Sequence, residues 1–168
     1  MKLIIAPHPD DEVIGCSRLL TPETRVLFTT SKAWTEERKK EATLLAKALS
    51  FRVIVPCTLA RSRSGSLEEM WREHGSDLCV FAPDPVWETH PDHVDIGCQI
   101  RTLSREMDFR FFTYTTNMRA PYVEELSKGE ALMKKDMLAF YESQSDLWKY
   151  DHRYFLFEGI AEWNPTVA

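Results

Sequence analysis

The sequence has little of several features that mark other classes of protein. Its four cysteines, at 16, 57, 79 and 98, form no CxxC pair, so we expect free buried thiols in a reducing cytoplasm, with no disulfide framework and no thiolate zinc site. The net charge of −5 leaves no basic excess for duplex nucleic acid. No apolar run is long enough for a membrane span or a signal-peptide core. The phosphate-binding patterns GxGxxG and GxxxxGK[ST] are absent as well.

Short apolar runs alternate with segments of helical periodicity along the chain. Strands are predicted at 2–6, 25–29, 53–55, 78–81, 110–114 and 154–157, and helices at 11–20, 34–49, 66–75, 91–104 and 130–144. This alternation predicts one α/β domain over residues 1–168, with a mostly parallel sheet covered by helices on both faces. Ligands of such sheets bind beyond the carboxyl ends of the strands.

Polar residues follow the first predicted strand directly. His8 and Asp11 are three positions apart at the turn into a helix, so they can converge on one ion, since zinc accepts nitrogen and oxygen ligands at about 2.0–2.2 Å. Asp10 cannot point the same way as Asp11 if the backbone is locally extended, and could face the open coordination position. Alternatively, the acidic residues only complement the dipole of the helix that follows.

A second polar segment follows the fourth predicted strand. His90 and His93 lie three positions apart at a helix start, with Pro91 suited to the first turn. One histidine could bind a metal while the other lies beside it, although surface histidines would also explain the pair. Both segments are predicted at the same edge of the sheet, and together they predict a site with three protein ligands and an open position, as in catalytic zinc sites. Zinc lowers the pKa of its water to about 7, so that a carboxylate can take the proton and a histidine can stabilise an oxyanion.

These residues resemble the signatures of the LmbE-like, or PIG-L, N-acetylglucosaminyl deacetylases. That family carries an HPDDE segment after the first strand and an HPDH segment after a later one, and this sequence has HPDDE at 8–12 and HPDH at 90–93. Arg38 and Glu41 match an RxxE helix, and YESQ at 141–144 matches a late segment. The resemblance implies a Rossmann-like fold and zinc-dependent removal of an N-acetyl group from a small amino sugar or its conjugate.

The resemblance also implies a role for each residue of the two motifs. Three residues would be the metal ligands: His8, Asp11 and His93. Zn²⁺ is the expected metal, with Fe²⁺ as the alternative, because availability competes with affinity. Asp10 would be the general base, and His90 would stabilise the oxyanion or protonate the leaving amine. Asp92 could orient a histidine from behind.

Four further residues are candidates for substrate contacts: Trp34, Arg38, Trp87 and Glu88. Each tryptophan could stack on a sugar ring or complete the edge of the core. Arg38 matches a position that holds substrate in relatives, but could instead pair with Glu37 or Glu41 on its own helix. Glu88 stands where some relatives have a mobile tyrosine. A loop around Arg61 and Arg63 could be a lid or a solvated connection.

The sequence departs from the family in places that bear on substrate. GCSR at 15–18 replaces a glycine pair, and TTSKAW at 29–34 replaces a glycine-containing loop. Two other functions are therefore kept as alternatives. One is an amidase that acts on a bulkier conjugate or an acylated nucleoside. The other is a non-catalytic domain that binds a sugar or nucleotide, which would be expected to have lost Asp10 and His90, yet both are present.

Overall fold

A seven-stranded sheet organises the protein. The computed structural model describes residues 1–29, 34–54 and 66–163. The strands are Lys2–Ala6 (β1), Thr24–Phe28 (β2), Arg52–Ile54 (β3), Cys79–Pro83 (β4), Arg110–Thr115 (β5), Val123–Glu125 (β6) and Phe157–Glu162 (β7). Their order is β3-β2-β1-β4-β5-β7-β6. The first five are parallel, whereas β7 pairs antiparallel with β5 and β6. The predicted mostly parallel sheet is confirmed.

Helices lie on both faces of this sheet, as the alternation of apolar patterns predicts. They are Asp11–Cys16 (α1), Glu36–Leu49 (α2), Ser66–His74 (α3), Pro91–Glu106 (α4), Lys128–Leu138 (α5), Ser145–Lys149 (α6) and Arg153–Leu156 (α7). Single 3₁₀ turns follow at Ser17–Leu19, Gly75–Asp77 and Glu142–Gln144. No helix within these described ranges is long and apolar enough to cross a membrane.

Strand β1 shows why its sequence is a continuous apolar run. Ile4 and Ala6 belong to a core on one face of the sheet, beneath α1, α2 and α5. Leu3 and Ile5 belong to a core on the other face, beneath α3 and α4. All four side chains are fully buried. A central parallel strand has no solvent-facing side, so alternation with polar residues is lost.

Two elements differ from their sequence predictions. The strand predicted at 154–157 is wrong, because Arg153–Leu156 is a short helix and β7 begins only at Phe157. The helix predicted at 130–144 begins earlier, at a capping box of Ser127 and Glu130, and ends at Leu138. Neither β6 nor α6 was predicted.

The remaining predictions concern the cysteines and the loop around Arg61 and Arg63. Cys57 and the loop around Arg61 and Arg63 lie outside the described residues. Cys16, Cys79 and Cys98 are free thiols. The expectation that all were buried holds for Cys16 but not for Cys98, which is exposed.

Lys134 of α5 is fully buried, which is unusual for a lysine. Its Nζ donates to the carbonyl oxygens of Ile14 and Phe157, at 2.5 and 2.6 Å. Burial lowers its pKa to about 8, against the opposing effect of the nearby Glu158 carboxylate.

The buried amine makes stability depend on pH in a defined direction. Between about pH 8 and the ordinary lysine pKa of about 10.4, the unfolded chain binds a proton that the folded chain does not, so stability rises with pH in this window. The full cost is present below pH 8, and its upper size is about 3 kcal/mol. Urea denaturation at pH 7 and pH 10 should therefore show the free energy of unfolding of the wild type rising relative to Lys134→Met. Lys135 is the exposed neighbour, and Lys135→Met should show the same dependence of the free energy of unfolding on pH as the wild type. If Lys134→Met also showed that same dependence, the lowered pKa of Lys134 would be contradicted.

Candidate active site

The two motifs meet at one edge of the sheet. His8 to Glu12 follows β1, and Glu88 to His93 follows β4 after a short loop. Strands β1 and β4 are paired neighbours. The strand order reverses between them, since β2 and β3 extend the sheet on one side of β1 and β5 to β7 extend it on the other side of β4. A crevice forms at such a switch point because the connections on its two sides lead away in opposite directions.

Three ligand-type atoms form a nearly equilateral triangle in this crevice. His8 Nδ1 and Asp11 Oδ2 are 3.2 Å apart, Asp11 Oδ2 and His93 Nε2 are 3.1 Å apart, and the two histidine nitrogens are 3.2 Å apart. Ligand atoms about 2.0–2.2 Å from a tetrahedral zinc ion lie about 3.3–3.6 Å from each other. The triangle is therefore close to one face of such a tetrahedron, and its donors are of the types that zinc accepts.

Carboxylates also contact the outer nitrogens of both histidines. His8 Nε2 lies 3.1 Å from Asp92 Oδ2, within hydrogen-bond distance. His93 Nδ1 lies 3.1 Å from Glu88 Oε2, and Glu88 also accepts hydrogen bonds from the Thr116 backbone and from Asn117 Nδ2. A carboxylate on the outer nitrogen fixes the tautomer and orientation of a metal-binding imidazole.

The charges of the triangle favour a bound cation. Burial alone would raise the pKa of Asp11, but His93 and His8 hold it well below its usual range. Burial alone would lower the pKa of His93, but Asp11 and Glu88 raise it to about 10. The negative charges of Asp11 and Glu88 therefore stabilise a positive charge at His93. A divalent cation bound between these side chains would be stabilised by the same negative charges.

Asp10 has an unusual backbone and a buried side chain. Its φ of 118° is in the left-handed region, which only short polar residues and glycine tolerate well. The residue is 4% exposed, and among the described residues its carboxylate makes no hydrogen bond. Burial, followed by the charges of Asp11 and Glu12, raises its pKa well above the usual range. A raised pKa makes a carboxylate a stronger base near neutral pH.

His90 is exposed at the rim of the triangle and caps helix α4. Its ring centroid is 4.8 Å from that of His8 and 5.1 Å from that of His93. Its Nδ1 accepts a hydrogen bond from the Asp92 backbone at 3.2 Å, so the neutral ring carries its proton on Nε2. The three histidines also form a possible metal set, with ligand atoms within 4.8 Å of one another. That spread is wider than the triangle that includes Asp11.

A cleft of about 440 Å³ opens over these residues. Its lining combines the motif residues with side chains from later parts of the chain: Arg38, Thr116, Asn117, Gln144, Leu147 and Tyr154. Arg38 donates to Gln144 Oε1 and forms no ion pair within the described ranges, so the predicted alternative of pairing with Glu37 or Glu41 is not what the structure shows.

The other candidates for substrate contacts lie in different environments. Trp34 packs against Phe28, with ring centroids 4.9 Å apart, and lines a separate groove beside α2, which favours the core-packing interpretation. Trp87 is 40% exposed and does not line the cleft. Glu88 lines the cleft, but its carboxylate lies within hydrogen-bond distance of His93. This contact favours a role in orienting the His93 ring over a contact with substrate.

Several cleft residues were not found by sequence reasoning. Thr116 and Asn117 directly follow β5, the neighbour of β4 in the sheet, so the rule that ligands bind at the carboxyl ends of strands could have found them. Leu147 and Tyr154 lie on α6 and α7, and no sequence signal distinguishes them.

No family model and no curated protein sequence matches this chain. Two solved structures do share its fold. One is described as a deacetylase of the teicoplanin biosynthesis pathway in a "bog" complex, with 11% identity and a TM-score of 0.65 over 98% of this chain and 99% of that one. This chain has the same fold as that deacetylase. The other is GalB, a 4-carboxy-2-hydroxymuconate hydratase from Pseudomonas putida KT2440, with 12% identity and a TM-score of 0.62 over 98% of this chain and 97% of that one. At such identities the likeness shows the fold, and the fold expected from the two motifs is confirmed.

Proposed function

We propose that this protein is a zinc-dependent hydrolase that removes the N-acetyl group from a small amino sugar or amino-sugar conjugate. The observation that carries the proposal is the triangle of His8, Asp11 and His93, with side lengths of 3.1–3.2 Å, beside the buried carboxylate of Asp10. These three residues would hold the metal, with Fe²⁺ as an alternative to Zn²⁺. The deacetylase with the same fold supports this reaction class.

Each remaining motif residue has a separate task in this proposal. A bound zinc ion supplies a Lewis acid for the amide carbonyl and makes water more acidic. Asp10 accepts the proton of the attacking water, for which its raised pKa suits it. His90 would donate a hydrogen bond from Nε2 to the oxygen that becomes negative. As an imidazolium it would give one proton to the leaving amine, and the proton that Asp10 took from the water would then reprotonate His90. Asp92 and Glu88 keep the imidazoles of His8 and His93 in orientation.

The open cleft has room for the amine component of such a substrate. A small cavity with about 10 Å³ of free space shares Ile14, Thr116, Asn117 and Tyr154 with the lining of the cleft. That volume is about what one water molecule requires, so a long acyl chain does not fit there. The open cleft, with hydrogen-bonding groups on Arg38, Asn117 and Gln144, is large enough for a sugar ring.

Hydration of an unsaturated carboxylic acid is a second candidate function. GalB has the same fold and is a hydratase. Arg38 lies in the cleft without a carboxylate partner among the residues that the structure describes, and its guanidinium could bind the carboxylate of such a substrate. An amide substrate does not require that charge, so the two functions differ in what Arg38 would do.

Acetate release tests the proposal directly. Protein loaded with one equivalent of zinc is incubated with N-acetylglucosamine and its conjugates, with N-propionyl and N-butyryl analogues, and with 4-carboxy-2-hydroxymuconate as a probe for hydration. We expect acetate release that a chelator abolishes and zinc restores, with slower release of the longer acyl groups. Turnover of the muconate alone would favour the hydratase, and release of only bulky acyl or amide groups would favour the alternative amidase.

A further inference from the structure

The short segment Tyr141–Gln144 is held by two side chains of helix α2, Glu41 and Arg38. Ser143 donates to Glu41 of α2 twice, from its backbone N–H at 2.8 Å and from its hydroxyl at 2.6 Å. Gln144 Oε1 accepts a hydrogen bond from Arg38, one turn earlier on the same helix. These contacts hold the segment firmly in place, since Glu41 is itself buried. The ordered segment provides a fixed anchor for Tyr141 at its start.

Tyr141 reaches from this segment to the first motif. Both Tyr141 and Glu12 are fully buried, at 0% exposure, and the Tyr141 hydroxyl donates to Glu12 Oε1. The two residues are 129 positions apart in the chain. A buried carboxylate without hydrogen bonds is costly, so this contact explains how Glu12 can stay inside the core.

The other oxygen of Glu12 acts on Asp10. Glu12 Oε2 accepts the backbone N–H of Asp10 at 3.0 Å. Asp10 is one of only two described residues other than glycine with positive φ, a conformation that persists only where the surroundings hold it. A chain of hydrogen bonds therefore runs from Tyr141 through Glu12 to the strained backbone of Asp10.

We propose that Glu12 and Tyr141 are positioning residues that hold Asp10 in its left-handed conformation and so place its carboxylate for proton transfer. The inference rests on the proposed function only in naming proton transfer as the step affected. Neither side chain lines the cleft, so both act through Asp10. Asp11 follows immediately and is a ligand candidate, so turning the chain at Asp10 lets the two adjacent carboxylates take separate roles.

The test compares Tyr141→Phe with Tyr150→Phe, whose ring is 82% exposed. We expect Tyr141→Phe to lower kcat about 10- to 100-fold with KM and zinc content near wild type, since a small misplacement of a catalytic group costs that much. Amide hydrogen exchange at Asp10, followed by NMR, should accelerate in Tyr141→Phe and stay unchanged in Tyr150→Phe. Glu12→Gln, which keeps an acceptor for the Asp10 N–H, should retain slow exchange and more activity than Glu12→Ala.

The exchange measurement needs no substrate, so it separates this inference from the proposed function. If no amide is hydrolysed by the wild type, faster Asp10 exchange in Tyr141→Phe would still support the positioning role. Unchanged exchange at Asp10 in folded Tyr141→Phe would overturn it. So would a loss of thermal stability with kcat unaltered, which is the signature of a purely structural contact.

Discussion

Asp10→Asn is expected to lower kcat for amide hydrolysis by about 10²–10⁴-fold while the protein keeps its zinc. Asparagine has the same size and also tolerates positive φ, so the backbone at 118° is preserved. Its amide cannot accept a proton, however, and that is the task proposed for Asp10. The measurement is acetate release at saturating substrate, with metal content determined on the same samples.

Asp108→Asn is a matched control for Asp10→Asn because Asp108 is exposed and remote in the chain from both motifs. It should leave kcat unchanged. Wild-type turnover by zinc-loaded Asp10→Asn would show that another group takes the proton. Loss of zinc in Asp10→Asn would instead indicate that Asp10 belongs to the ligand set.

Asp11→Asn is expected to weaken metal binding, and His90→Gln is expected to leave it nearly unchanged. The triangle with sides of 3.1–3.2 Å includes Asp11 Oδ2 and excludes His90. We therefore expect Asp11→Asn to lose zinc, measured by competition with a chromophoric chelator. His90→Gln should bind zinc nearly as tightly as the wild type but lose most of its turnover, because a glutamine amide cannot give a proton to the leaving amine.

The alternative ligand set makes the reverse prediction. A site built from His8, His90 and His93 would lose zinc in His90→Gln and tolerate Asp11→Asn. Asp92→Asn gives an intermediate result under the first scheme, since loss of a carboxylate behind a metal-binding histidine typically costs about 10- to 100-fold in affinity. Circular dichroism of each variant separates loss of a ligand from loss of the fold.

Glu88 illustrates where reasoning from the sequence ended. Its position two residues before His90 suggests a contact with substrate, because some members of the family that the two motifs resemble have a tyrosine there. In the structure its side chain bonds His93 and the Thr116 backbone. Thr116 follows β5, which is paired with β4, so only the pairing of these strands reveals that a partly buried N–H lies within reach of the Glu88 carboxylate.

The region from Tyr141 to Phe157 shows the same effect on secondary structure. Apolar residues at 133, 137, 140 and 141 have helical spacing, yet α5 ends at Leu138. Tyr141 and Ser143 bond Glu12 and Glu41, and these contacts replace a further helical turn. Similarly, Tyr154 lies in an aromatic and apolar run that is typical of a strand, yet it belongs to a short helix. Its side chain lines the cleft.

The sequence by itself determined the parallel part of the sheet and the meeting of the two motifs. Short apolar runs such as 2–6 are typical of buried strands, and parallel strands bring their carboxyl ends to one edge. Tertiary structure alone decided which carboxylate supports which histidine, where the helix after Ser127 ends, and how Asp10 is held. Those features depend on hydrogen bonds between residues such as Tyr141 and Glu12, 129 positions apart. Local periodicity contains no information about partners so distant, because they meet only when the sheet has formed.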